Sequence, residues 1–107
     1  MEVVKLFNME YNEVIKHLAS SNKYKYNLIK TCEELAELQE VLLKRIVKEG
    51  GPKSPPNSSI IEEIGDVQIR LDILKEIFGS DKVTERINQK SKKYISYIEE
   101  NKYIGTI

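Results

Sequence analysis

The chain has 107 residues, 40% hydrophobic and 32% charged, a length with room for one compact domain and little surplus stability. Lys plus Arg and Asp plus Glu are both 17, so the formal net charge is zero, which argues against nucleic acid as a partner because a general grip on phosphate backbone calls for a basic excess. The single cysteine, Cys32, excludes an internal disulfide and fits a reducing compartment, and one Cys with one His gives no zinc site.

Met1 to Tyr11 lacks the apolar run of a signal peptide, and no stretch approaches membrane-spanning length. The expected location is cytoplasmic, with no membrane partner. A first helix is expected over about residues 9 to 20, with Val14, Ile15 and Leu18 as its apolar positions, followed by a polar break at Ser20, Ser21 and Asn22. The second helix is long, from about Tyr24 to Glu49. Leu28, Leu35, Leu38, Leu42 and Ile46 recur at helical steps, and Gly50, Gly51 and Pro52 stop it.

Gly50 to Ser59 holds all three prolines and reads as a loop, long enough to be mobile or to cover a site. A third helix follows over about Ile60 to Phe78. Ser58 or Ser59 is its expected cap, and Glu62 and Glu63 its first-turn acids. Gly79 ends it, and Ser80 or Asp81 caps a fourth helix to about Glu100, with Val83, Ile87, Tyr94 and Ile98 as its stripe. The tail, Asn101 to Ile107, is expected to lie loosely. No segment alternates with period two, so the expected fold is one all-α domain over residues 1–107, a four-helix-type bundle. The two long helices have broader apolar faces than one short helix can cover, which points to pairing with further copies of the chain.

Residues 33 to 42, EELAELQEVL, echo residues 62 to 71, EEIGDVQIRL, at an offset of 29. At about 100° per residue, Glu34 and Glu37 share one side of the second helix, and Glu63 and Asp66 share one side of the third. Glu33 and Glu62 point further into solvent. Ala36 and Gly65, the small residues inside each acidic pair, would let neighbouring helices approach closely.

An E-x-x-E spacing is common on solvated helices, and taken alone it says little. Two acidic pairs facing each other across a bundle would repel, and a hard cation relieves that repulsion. Mg²⁺ suits such an all-oxygen set and leaves positions for water and substrate phosphates, and Mn²⁺ is the alternative ion. Such a site could bind a polyphosphate and activate a water, with Glu34 the candidate to take its proton. A di-iron bundle would use Glu-x-x-His pairs, and His17, the sole histidine, lies in neither pair. His17 reads as a surface or packing residue. Lys90 falls on the apolar stripe of the fourth helix, with Arg86 one turn before it. Both are candidates for a substrate phosphate, Asn88 and Lys93 being weaker ones. The tract Lys90, Lys92 and Lys93 by itself reads as a solvated face.

The segments EELAELQEVLLKR (33–45) and EEIGDVQIRLDIL (62–74) resemble the paired motifs of the MazG-like all-α NTP pyrophosphatase superfamily, E-x-x-E, a spacer, then E-x-x-D. ERINQKSKKY (85–94) resembles the basic segment that follows them. The likeness spans roughly residues 25 to 98 and is greatest to compact phage and bacterial members. It implies a helical bundle working as a homodimer or homotetramer. It implies hydrolysis of a nucleoside triphosphate between the α and β phosphates, giving the monophosphate and pyrophosphate, in nucleotide-pool metabolism. Glu34, Glu37, Glu63 and Asp66 would hold Mg²⁺, and Lys90 would contact phosphate. Phosphoribosyl-ATP, dUTP- and dCTP-directed enzymes share the pattern, so the base stays open. The rival expectation is a helical module that binds metal or nucleotide without turnover.

Overall fold

The computed structural model describes residues 9–100. The expected tail, Asn101 to Ile107, and residues 1–8 lie outside them. Among the described residues there are four helices and no strand: α1 (Tyr11–Ser21), α2 (Tyr24–Lys48), α3 (Asn57–Phe78) and α4 (Ser80–Glu99). The protein is therefore all-α. No described helix is long and apolar enough to cross a membrane. The chain divides into two compact units, Met1–Ile77 and Phe78–Ile107.

In the first unit, α1 starts where the Glu10 amide donates to Glu13 Oε1 at 3.4 Å and the Glu10 carbonyl accepts from the Val14 amide at 3.0 Å. Ile15 is buried, with Val14 and Leu18 half-buried beside it, as their spacing predicts. Ser20 and Ser21 belong to the helix rather than to the break. Ser20 Oγ bonds back to the Lys16 carbonyl at 2.9 Å, and Ser21 Oγ sits 3.3 Å from a ring nitrogen of the exposed His17. Extended backbone at Asn22 and Lys23 makes the break. α1 is tied to α3 through Tyr11, whose hydroxyl donates to Asp72, the other carboxylate oxygen taking Gln68 Nε2 at 3.0 Å. Lost hydration and then Asp72 push the Tyr11 hydroxyl up to about 12.

α2 departs from expectation in the face it turns inward. Leu35, Leu42 and Ile46 are exposed, Ile46 at 71%. The inward face is Asn27, Thr31, Glu34, Leu38, Val41 and Arg45, all buried or half-buried. Asn27 is fully buried, and its Nδ2 donates to the Leu18 carbonyl at 3.3 Å while its own carbonyl accepts from Thr31 Oγ1 at 2.7 Å. A buried amide is tolerable because its groups are paired.

Gly50, at φ 81°, takes the left-handed turn expected after α2. The loop is shorter than expected, because α3 begins at Asn57. Ser58 and Ser59 are helical rather than caps, and the first turn of α3 holds no acid. The Ser59 amide bonds the Pro56 carbonyl at 3.1 Å, so the last proline opens the helix instead of delaying it. Val67 and Ile73 complete the small apolar core with Ile15. A Cβ built on Gly65 would meet nothing within 4 Å, and Ala36 is exposed too. The expected close approach of helices at these small residues is absent within the described chain.

In the second unit, Gly79 at φ 116° ends α3 and also caps α4, a backbone conformation that favours glycine. Ser80 is the first helical residue, and Asp81 lies in the first turn. α4 buries no residue, and Ile87, Tyr94 and Ile98 of its expected stripe are exposed.

Candidate metal centre

Two contacts show that α2 and α3 run antiparallel. Arg45, near the end of α2, reaches Asn57 at the start of α3, and Arg70, late in α3, reaches Asn27 early in α2. Between those two ties lie the carboxylates, Glu34 and Glu63 half-buried and Glu37 exposed. One oxygen from each of Glu34, Glu37 and Glu63 lies within 4.8 Å of the others. Asp66 stands outside this triad, yet its charge acts on both Glu34 and Glu63. The echo in the sequence is also an echo in burial: Glu34 and Glu63 are half-buried, whereas Glu33 and Glu62, Leu35 and Ile64, Ala36 and Gly65 are exposed in matching pairs.

Glu34 and Glu63 share a further property. The Oε2 atom of each is sealed from solvent and has no hydrogen-bond partner. Folded proteins rarely leave a buried acceptor unpaired, and an ionised one costs more than a neutral one. Lost hydration pushes the Glu34 carboxyl above its ordinary value, the charges of Glu37 and Asp66 add to it, a hydrogen bond shared with Glu37 acts the same way, and Arg70 opposes them. Glu63 is raised by lost hydration and then by Glu37, Asp66, Glu34 and Glu62. Both carboxyls are thus raised first by lost hydration and then by like charges nearby.

The donor set fits a hard divalent cation. It is all oxygen, three carboxylates fall within one ion's reach, and two of them offer oxygens that the protein leaves unpaired. Glu34, Glu37 and Glu63 could hold the ion, with Asp66 adding negative charge beside them.

A cleft of about 310 Å³ opens next to the triad, lined by Glu37, Glu40, Val41 and Lys44 from α2 and by Pro55, Ser59 and Glu63 across from them. The proline loop therefore borders the acidic site, and it is anchored there. Arg45 Nε and Nη2 donate to the Pro55 carbonyl at 3.2 and 3.0 Å, and Nη2 also donates to Asn57 Oδ1 at 2.6 Å. Lys44 pairs with Glu40 at 2.9 Å, an exposed pair of the kind that contributes little.

Lys90 and Arg86 are exposed on α4, in the second unit. Lys90 Nζ stands 5.7 Å from the Tyr94 ring centre, and Arg86 Nη1 donates to Gln89 Oε1 at 3.5 Å. Sequence reasoning passed over Asn27, Thr31 and Arg45 and noted Arg70 only as a neighbour of Asp66. The signal was present: Asn27, Thr31 and Glu34 recur at steps of four and three, a polar stripe that has to face something. No family model, no curated protein and no solved structure matches this chain.

Proposed function

We propose that the chain is a divalent-metal-dependent nucleotide pyrophosphohydrolase of the MazG-like type, hydrolysing a nucleoside triphosphate to its monophosphate and pyrophosphate. One observation carries this reading: Glu34 Oε2 and Glu63 Oε2 are sealed from solvent, unpartnered, and gathered with Glu37. A helical unit that needed these residues only for packing would turn its leucines inward and its glutamates out. α2 instead turns Glu34 inward and leaves Leu35, Leu42 and Leu43 exposed.

In this reading Glu34, Glu37 and Glu63, with Asp66 beside them, supply the oxygens and the negative field that would hold Mg²⁺ or Mn²⁺. The ion would neutralise phosphate charge and make a bound water more acidic. Glu34, whose proton affinity is raised by lost hydration and by Glu37, accepts the proton as the water oxygen bonds to the α phosphorus and pyrophosphate departs. The cleft beside Glu37 and Glu63 gives part of the nucleotide a place next to the carboxylates. The working unit is a homodimer or homotetramer in a four-helix-type arrangement. The face formed by Leu35, Leu42, Ile61 and Ile64, all exposed, is the surface that a second copy would cover.

The test is a panel of NTPs and dNTPs with Mg²⁺. Pyrophosphate release that EDTA abolishes, and that Glu37→Gln or Asp66→Asn removes from a folded protein, supports the proposal. Full activity in those variants, or no release with any nucleotide, sinks it. Orthophosphate in place of pyrophosphate would refute the cleavage position.

A further inference from the structure

We infer that Arg70 is a phosphate-binding fork, docked on Asn27 and kept available for the anionic part of the nucleotide, an assignment that rests on the nucleotide reading above. Arg70 follows Asp66 by one helical turn on α3 and is half-buried. Its Nη1 donates to Asn27 Oδ1 at 3.4 Å, the one hydrogen bond it makes among the described residues. Asn27 is itself fixed, being fully buried, with Nδ2 on the Leu18 carbonyl and Thr31 Oγ1 on its own carbonyl. The guanidinium is thus held by a neutral group that belongs to a tie across α1, α2 and α3.

The choice of partner is the informative part. Arg70 is near enough to the acidic cluster for its charge to act on Glu34. Yet among the described residues no carboxylate oxygen comes within 4.0 Å of its nitrogens. An arginine meant only to neutralise the acids would pair with one of them directly. Held off by Asn27, it keeps its other N–H donors uncommitted, next to the carboxylates that would gather a metal-bound polyphosphate. A planar guanidinium meets two phosphate oxygens with a fixed pair of parallel N–H donors, a geometry that a lysine ammonium does not hold. Arg70 is a cation in the same unit as the carboxylates, additional to the expected Lys90 and Arg86.

Inorganic tripolyphosphate with Mg²⁺, titrated calorimetrically, tests this without reference to base or turnover. Binding of Mn²⁺ alone, followed by electron paramagnetic resonance, is the control for the acids. Arg70→Gln should weaken tripolyphosphate binding by about 10- to 100-fold, as loss of a charge-assisted hydrogen bond does. Arg70→Lys should recover part of it, and Mn²⁺ affinity should hold in both. Unchanged tripolyphosphate affinity in Arg70→Gln overturns the proposal. So does a parallel loss of Mn²⁺ affinity, which would make Arg70 an organiser of the acids. If Arg70→Gln fails to fold by circular dichroism, Arg70→Lys decides: wild-type affinity refutes the fork, and weaker binding with unchanged Mn²⁺ affinity supports it. No tripolyphosphate binding by the wild type also overturns it. Arg70-dependent binding in a wild type that hydrolyses no nucleotide would leave the fork standing and sink the reaction alone.

Discussion

Replacing Glu34 with Gln keeps the side chain's size and removes one charge from the acidic cluster, so it should act oppositely on the empty and the loaded protein. Without metal, Glu34 is crowded by Glu37 and Asp66 and has a sealed, unpaired oxygen. An amide there carries no charge and can donate to a neighbouring carboxylate. Discounted for the residue's partial exposure, the gain is about 1 kcal/mol. For a chain of this size that raises the melting temperature in EDTA by about 4 °C. With Mg²⁺ at 100 times its dissociation constant the wild type gains about 2.7 kcal/mol, and the variant should gain almost none. The order of stability therefore reverses between EDTA and Mg²⁺. The pH dependence follows from the direction of the shift. A carboxyl raised above its ordinary 4.5 contributes stability that is complete below that value and lost as pH climbs through the folded-state value. The advantage of Glu34→Gln should thus vanish near pH 4 and grow toward neutrality. Thermal melts by circular dichroism at several pH values, with and without Mg²⁺, check this. A variant less stable than wild type in EDTA, or equally stabilised by Mg²⁺, would refute the reasoning.

Tyr11→Phe removes the bond to Asp72 and should cost about 1 kcal/mol by urea unfolding. Lost hydration and then the same contact predict a tyrosine ionising at about 12, seen by ultraviolet titration, with the contact's stabilisation complete below pH 10 and lost between there and pH 12. Arg45→Ala releases the Pro55 carbonyl and Asn57, so residues 50–56 should become a preferred site of limited proteolysis while the helical signal stays close to wild type. Leu35→Lys combined with Ile64→Lys places two charges on the exposed apolar face, and light scattering should report monomer where the wild type is oligomeric. A monomeric wild type would remove that surface argument.

The carboxylate pairs were legible in the sequence because spacing alone decides which residues share a helix side, and Glu34 with Glu37 and Glu63 with Asp66 needed no partner to be placed. The leucine stripe of α2 misled for a related reason. Periodicity shows that a face is apolar, and it cannot say whether the cover comes from the same chain. In this chain α1 and α3 meet the polar face instead, through Asn27 and Arg70. The start of α3 was misplaced because Pro56 reads equally as a loop residue and as a helix opener, and its local hydrogen bond with Ser59 decides between them.

Helix number, helix class and the identity of the acids follow from local chemistry: propensity, periodicity, and glycine at Gly50 and Gly79. Only tertiary structure decided which carboxylate oxygens lose their water, which loop residue Arg45 pins, and that Arg70 is docked on an amide rather than an acid. Those properties depend on residues far apart in the chain, such as Asn27 and Arg70, being brought together across packed helices. A one-dimensional pattern carries no measure of that distance.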